Sequence, residues 1–188
     1  MKALILDFES GGLDYKKHSP LSIAFCVVDL DKGEILNQFS TLIKLPSYNV
    51  EQEALAVNGL SVAECQATGM TPEEIAEKLM DAWVTHQCSL IGGHNLHFDL
   101  RFLAHWIFGV EPQNIDRILT YRYLDTYPCI QLMMGGAKAP PGTSLKQCVK
   151  FFDIDMKEVK GGYHQALFDV VATAKLLIKF RQLLGATA

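Results

Sequence analysis

The chain has 188 residues, 49% of them hydrophobic and 20% charged, which is enough to bury a full core as one domain and excludes an intrinsically disordered chain. Its formal net charge of −4 argues against a basic surface that grips duplex nucleic acid at long range, though not against a short strand held where metal ions offset acidic side chains. No apolar run approaches the roughly 20 residues of a membrane span, and Met1-Lys2-Ala3 leads straight into a strand pattern, so a soluble, cytoplasmic protein with no membrane partner is expected.

Leu4-Ile5-Leu6-Asp7-Phe8-Glu9 is an apolar run that ends in two acids, followed by the turn Ser10-Gly11-Gly12-Leu13. Strand alternation puts Asp7 and Glu9 on one face and Phe8 on the other. Two carboxylates in one small volume drive one of them to protonate unless a hard divalent cation sits between them. Solvated strand-end charges account for the same residues. The turn carries almost no side chain, which lets a ligand or another backbone approach closely.

Residues 13–20 read as a polar loop closing on Pro20, and residues 21–30 and 34–44 as a hairpin around Asp31-Lys32-Gly33. Pro46 ends this sheet segment, and Gln52 to Ala56 can form a helical turn or two before Asn58-Gly59. Thr71, Pro72 and Glu74 compose a capping box with proline at the first helical position, predicting a helix to about His86. Cys88 to Gly92 is a short apolar strand, and Phe98 to Phe108 has helical spacing. Tyr121 to Leu124 predicts a last strand, running into a helix from Asp125-Thr126 to about Met134. Gly135 to Gly142 reads as a mobile loop, Ser144 caps a short helix through Phe152, and Gln165 to about Leu184 is the last helix. The five cysteines, Cys26, Cys65, Cys88, Cys129 and Cys148, form no CxxC pair and read as free thiols. With no internal repeat or linker, the pattern predicts an α/β domain: one mixed sheet with helices packed on it.

Two later groups extend the first. In Gly93-His94-Asn95-Leu96-His97-Phe98-Asp99 a strand ends in polar residues and a helix begins, carrying Asp99 near its start, where α/β sheets build their sites. Asn95 as an N-cap and Asp99 as a charge near the helix start fit equally. In Gly161-Gly162-Tyr163-His164-Gln165-Ala166-Leu167-Phe168-Asp169, the aspartate lies among residues that pack the last helix. Five residues of regular helix would leave His164 and Asp169 about 140° apart, so His164 is placed in the lead-in, free to swing on Gly161-Gly162. A helix-start histidine with an exposed aspartate also satisfies this stretch. His18, His86 and His105 have no acidic motif around them and read as surface or core residues.

Taken together, Asp7-Phe8-Glu9 with Gly12-Leu13, His94-Asn95-Leu96-His97-Phe98-Asp99 and His164-Gln165-Ala166-Leu167-Phe168-Asp169 resemble the three ordered motifs of the DEDDh exonucleases, the DnaQ-like group that includes the proofreading subunit of bacterial replicative polymerases. Weaker similarities fill the gaps: Val57-Asn58-Gly59-Leu60-Ser61, Asp125-Thr126 and Ser144-Leu145. Phe8 stands where the family usually has Thr, and Ser10-Gly11 replace the more usual Thr-Thr. An altered grip on the terminal nucleotide with retained chemistry is therefore expected, a serine hydroxyl and backbone amides remaining. Tyr121-Arg122-Tyr123-Leu124-Asp125 is similar to a segment of oligoribonucleases, a related branch.

The resemblance implies a ribonuclease H-like fold, a mixed five-stranded sheet with helices on both faces, and a single exonuclease domain over residues 1–188. It implies a 3′→5′ exonuclease that releases nucleoside 5′-monophosphates from single-stranded ends, with DNA slightly preferred over RNA. Asp7, Glu9, Asp99 and Asp169 would hold two divalent ions, Mg2+ or Mn2+ by ligand hardness, with Asp7 bridging both. His164 would be the general base. Phe8, Ser10, Gly12, Leu13, Asn58, His94, Asn95 and Phe98 would meet the substrate, Leu13 as an apolar wedge and Phe98 as a stacking surface. An oligoribonuclease or RNA-trimming enzyme, and a non-catalytic strand-end-binding subunit, remain alternatives. A homodimer and membership of a polymerase or repair complex stay open as partners, although a chain that stops just after its last helix favours a free-standing nuclease.

Overall fold

The computed structural model describes residues 1–134, 139–159, 161–162 and 164–185. Its five-stranded sheet runs β3-β2-β1-β4-β5, with β1 at Lys2–Ser10, β2 at Pro20–Asp29, β3 at Glu34–Leu42, β4 at Leu90–Gly93 and β5 at Tyr123–Asp125. The first three strands form an antiparallel meander, and β4 and β5 add in parallel on the other side of β1. This makes β1 the centre of a mixed sheet.

Alternation along β1 sorts its side chains into two cores. Leu4, Leu6 and Phe8 pack with Ile75 and Leu79 of α3 (Pro72–Thr85) and with Leu100 and Phe102 of α4 (Leu96–Phe102). Ala3 and Ile5 pack on the opposite face with Ala166, Val170, Ala174 and Leu177 of α7 (Ala166–Gly185). Helices therefore cover both faces. Asp7 and Glu9 continue the Ala3–Ile5 row, so the sheet's own period aims both acids at the start of α7. Gly92 and Gly93 let β4 lie close to its neighbours: a Cβ at Gly92 would stand 2.8 Å from the Ile5 Cδ1 and 2.8 Å from the Leu124 carbonyl oxygen.

Most elements lie where the sequence puts them, including the α3 capping box, in which Thr71 N–H donates to Glu74 Oε2 at 2.8 Å and Glu74 N–H to Thr71 Oγ1. The short helix α1 covers Gln52–Asn58, α5 Thr126–Met133 and α6 Leu145–Phe151, where Ser144 accepts from Gln147 N–H. Three local structures differ from expectation. Val62–Thr68 forms an additional short helix, α2. The helix predicted over 98–108 begins at Leu96, and its last part, Leu103–Ile107, is π-helical. Pro112–Arg117 forms a 3-10 turn. The expected mobile loop 135–142 lies partly outside the described residues, as does the expected mobile segment 161–164.

Candidate active site

The acids meet where β1 stops being covered by β4. Parallel pairing between the two strands ends at Ile5 and Gly92, which leaves the Phe8 N–H on that side without a strand partner. Asp99, 3% exposed on α4, fills the gap: its Oδ1 accepts that N–H at 2.9 Å. Asp7, Glu9 and Asp169 each offer a carboxylate oxygen, and these atoms lie within 4.8 Å of one another. The sheet contributes two of the three, and the first turn of α7 the third.

His164 precedes α7 in a left-handed backbone conformation, φ 66°, that non-glycine residues seldom adopt. Its N–H donates to Asp169 Oδ2 at 3.0 Å, so the strained lead-in and the carboxylate hold each other. Asp169 Oδ1 is buried with no hydrogen-bond partner among the described residues, an arrangement that ordinarily costs free energy. The His164 side chain is exposed, and with Glu9 it lines a cleft of about 390 Å³.

Each acid is held above its ordinary range. Burial raises Asp7 well above the ordinary carboxylate range, and the charges of Asp99, Glu9 and Asp169 add to it. Glu9 is pushed up to about 7 by burial and then by Asp169. Asp169 is pushed up to about 6 by burial, against the His164 N–H. Burial also raises Asp99, with the Phe8 N–H opposing it. An orphaned buried carboxylate oxygen among crowded, uncompensated carboxylates fits hard divalent cations, which take oxygen ligands and remove the repulsion.

A second cleft of about 360 Å³ adjoins the acids on the other side of Glu9, between the Ser10–Leu13 turn, α1 and Phe98. Leu13 projects into solvent there, 84% exposed, and half-buried Phe98 backs onto Phe102 with ring centroids 4.9 Å apart.

Several expected substrate contacts line this cleft and also make bonds or packing within the protein. Phe8 is 5% exposed and packs toward Phe102 in the core, so only its edge reaches the cleft floor. The Ser10 hydroxyl, expected to remain for the terminal nucleotide, instead donates to the Gly12 carbonyl at 2.7 Å. Asn58 is engaged at both ends, its Nδ2 donating to the Ser10 carbonyl and its Oδ1 accepting from Leu60 N–H. On the Cβ side of the glycines the space is filled by protein. A Cβ on Gly11 would meet Val50 Cγ1 at 2.5 Å, and one on Gly12 would meet His18 Nδ1 at 2.3 Å.

His94 and Asn95 stand at the β4–α4 junction. His94 is half-buried, with Nδ1 2.8 Å from Thr126 Oγ1 and its ring edge-on to Tyr127. Burial pushes its imidazole below the ordinary value against the pull of Asp125. Asn95 has φ 65° and makes no side-chain cap. Asp125 does that work from β5: Oδ1 accepts the N–H of Asn95 and of Tyr127, and Oδ2 that of Leu96. One carboxylate thus caps α4 and α5 together. His18, expected as a surface or core residue, closes the loop behind Gly12: its Nδ1 accepts from Asp14 N–H and its Nε2 lies 3.3 Å from Glu51 Oε1. The Asp-Thr before α5 signals one of the Asp125 caps, whereas the other cap and the His18 contacts join distant segments.

A model of the exonuclease family, of the RNase T type, matches residues 4–177. Among curated relatives, the PolC-type DNA polymerase III of Thermotoga maritima is 26% identical over 186 residues, 96% of this chain and 12% of the polymerase. A probable oligoribonuclease of Schizosaccharomyces pombe is 24% identical over 188 residues, 94% of this chain and 66% of that protein. The chain therefore spans a small part of the polymerases it matches. In fold it is similar to E. coli exonuclease I in complex with a dT13 oligonucleotide, with a TM-score of 0.76 at 18% identity over 99% of this chain and 42% of that one. The zinc-bound complex of E. coli exonuclease I with single-stranded DNA gives 0.78 at 18% identity, over 97% and 41%.

Proposed function

The chain belongs to the exonuclease family whose model spans residues 4–177, and from that membership we propose that it is a metal-dependent 3′→5′ exonuclease, residues 1–188 acting as one domain, that releases nucleoside 5′-monophosphates from single-stranded ends. The observation that carries the reading is the cluster of Asp7, Glu9 and Asp169 carboxylates, with Asp169 Oδ1 buried and without a hydrogen-bond partner among the described residues. Those three acids, with Asp99 behind them, would hold two divalent ions, Mg2+ or Mn2+. When bound, such ions polarise the phosphoryl oxygens, activate water and stabilise the leaving oxygen.

The chain's own residues supply the rest. Asp99 fixes the end of β1 through the Phe8 N–H and so sets where Asp7 and Glu9 stand. His164, exposed beside Glu9 and anchored through its N–H to Asp169, takes the proton of the attacking water at an imidazole nitrogen. Leu13 wedges against the terminal base and Phe98 offers it an apolar face.

DNA is the favoured substrate on the likeness to the PolC-type polymerases, which also makes a polymerase or repair complex one setting for the protein. RNA is the second reading, favoured by the oligoribonuclease relative and the Tyr121–Asp125 segment. Digestion of matched single-stranded DNA, single-stranded RNA, dinucleotides and mismatched duplex ends tests this. Faster release of mononucleotides from DNA is the expected result, and faster release from RNA or dinucleotides would replace the first substrate by the second. A binding subunit without catalysis would leave all four intact.

A further inference from the structure

On the outer side of α4 lies a cleft of about 510 Å³ whose lining includes Tyr15, His97, Arg101, Asp116 and Tyr123. It shares two elements with the Leu13–Phe98 cleft: Tyr15 follows Leu13 on the same loop, and His97 and Arg101 flank Phe98 on the same helix. Residues three apart on a helix have Cβ atoms about 5–6 Å apart, so a strand of a few nucleotides leaving Phe98 reaches Arg101.

The cleft is built and not incidental. Trp106, in the π-helical turn, donates its Nε1–H to the Tyr15 carbonyl at 2.7 Å. The Arg101 guanidinium lies 5.8 Å from the Tyr15 ring centroid. The acid of the cleft, Asp116, accepts a hydrogen bond from the Tyr123 hydroxyl. In a chain of net charge −4 the cleft thus presents an exposed guanidinium over one phenol ring, with a second phenol, Tyr123, in the same lining. A cation for the phosphate and aromatic faces for the bases are what sequence-tolerant single-strand sites use, and arginine's planar fork suits phosphate better than a lysine does.

We infer that this cleft holds the stretch of single strand lying 5′ of the terminal nucleotides, with Arg101 on a phosphate and Tyr15 and Tyr123 facing bases. The inference rests on the strand-end reading of the acid site.

It is tested by comparing an octanucleotide with a dinucleotide, which carries a single nucleotide 5′ of the terminal one. In Arg101→Gln and in Tyr123→Leu, the ratio of kcat/KM for the octamer to that for the dinucleotide should fall about tenfold. For octamer binding measured in EDTA, the slope of log K against log salt should flatten by about 0.7 in Arg101→Gln, the loss of one phosphate contact, and should be kept in Arg101→Lys. Equal losses on both substrates, or an octamer that binds and reacts as before with the same salt slope, would overturn the inference. Failure of the wild type to cleave either substrate would instead overturn the reading of the acid site. The salt slopes would still decide whether Arg101 meets a phosphate.

Discussion

Asp99 accepts the backbone N–H of Phe8 at 2.9 Å, across the point where β4 no longer pairs with β1. One carboxylate oxygen therefore completes the sheet edge while its charge crowds Asp7.

The two roles separate by substitution. Asp99→Asn keeps an acceptor for Phe8 N–H and removes the charge, so its melting temperature in EDTA is expected to equal or exceed that of the wild type while hydrolysis is lost. Asp99→Ala leaves a buried N–H unpaired, at a cost of about 1–3 kcal/mol, and is expected to melt below Asp99→Asn. Equal melting of the two variants would show that the Phe8 hydrogen bond contributes nothing to stability.

The raised carboxyls make the metal-free protein pH-sensitive. Glu9 sits at about 7 and Asp169 at about 6, above the ordinary carboxylate range near 4. A folded chain that binds these protons more tightly than the unfolded chain has this stabilisation in full below about pH 4 and loses it as pH rises through about 6 to 7. Asp29 and Asp31, which hydrogen bonds and the N-terminal amine hold below their ordinary values, act in the opposite sense and only at lower pH. The melting temperature in EDTA should therefore fall between about pH 5 and pH 8, and added Mg2+ at pH 8 should recover it. A flat pH profile, or no response to Mg2+, would contradict the crowded acid cluster.

His164 calls for a substitution compatible with its backbone. Its φ of 66° penalises alanine, whereas asparagine tolerates the left-handed region, so His164→Asn isolates the imidazole. Turnover should fall about 10²–10⁴-fold while metal-dependent activity remains detectable. The acid limb of the wild-type pH–rate profile should vanish with it. An unchanged rate and profile would reduce His164 to a backbone donor for Asp169.

Leu13 and Phe98 differ in what their removal costs. Leu13 is 84% exposed, so Leu13→Ser should change stability by less than about 0.5 kcal/mol yet weaken strand-end binding. Phe98→Ala removes a half-buried ring from Phe102 and should lower both stability and affinity, the latter about tenfold. Full affinity in a folded Leu13→Ser variant would remove the wedge from the account.

What could be read from the sequence follows the range of each interaction. The Asp7–Glu9 pair and its facing were legible because alternation on a strand is local, and the α3 start because a capping box lies within four residues. The bond from Asn58 Nδ2 to the Ser10 carbonyl joins α1 to β1, 48 positions apart, whereas those of the Ser10 hydroxyl and Asn58 Oδ1 are local, and no local pattern states whether such a polar group will bond to its own turn or face a ligand. Phe8 follows the alternation rule strictly, so the same rule that aims the acids at α7 buries the aromatic between them. Helix α2 is short, with only Cys65 buried, and presents too narrow an apolar face for periodicity to reveal. The double cap by Asp125 depends on β5 lying beside β4, a fact of sheet order.

The most direct test of the central claim follows a 5′-labelled single strand with the wild type, Asp7→Asn and Asp169→Asn, in EDTA and after addition of Mg2+ or Mn2+. The expected result is a ladder that shortens from the 3′ end in the wild type only, absent in EDTA and restored by the metal, with both variants folded and inactive. Cleavage that persists in EDTA, or survives in either variant, would contradict it.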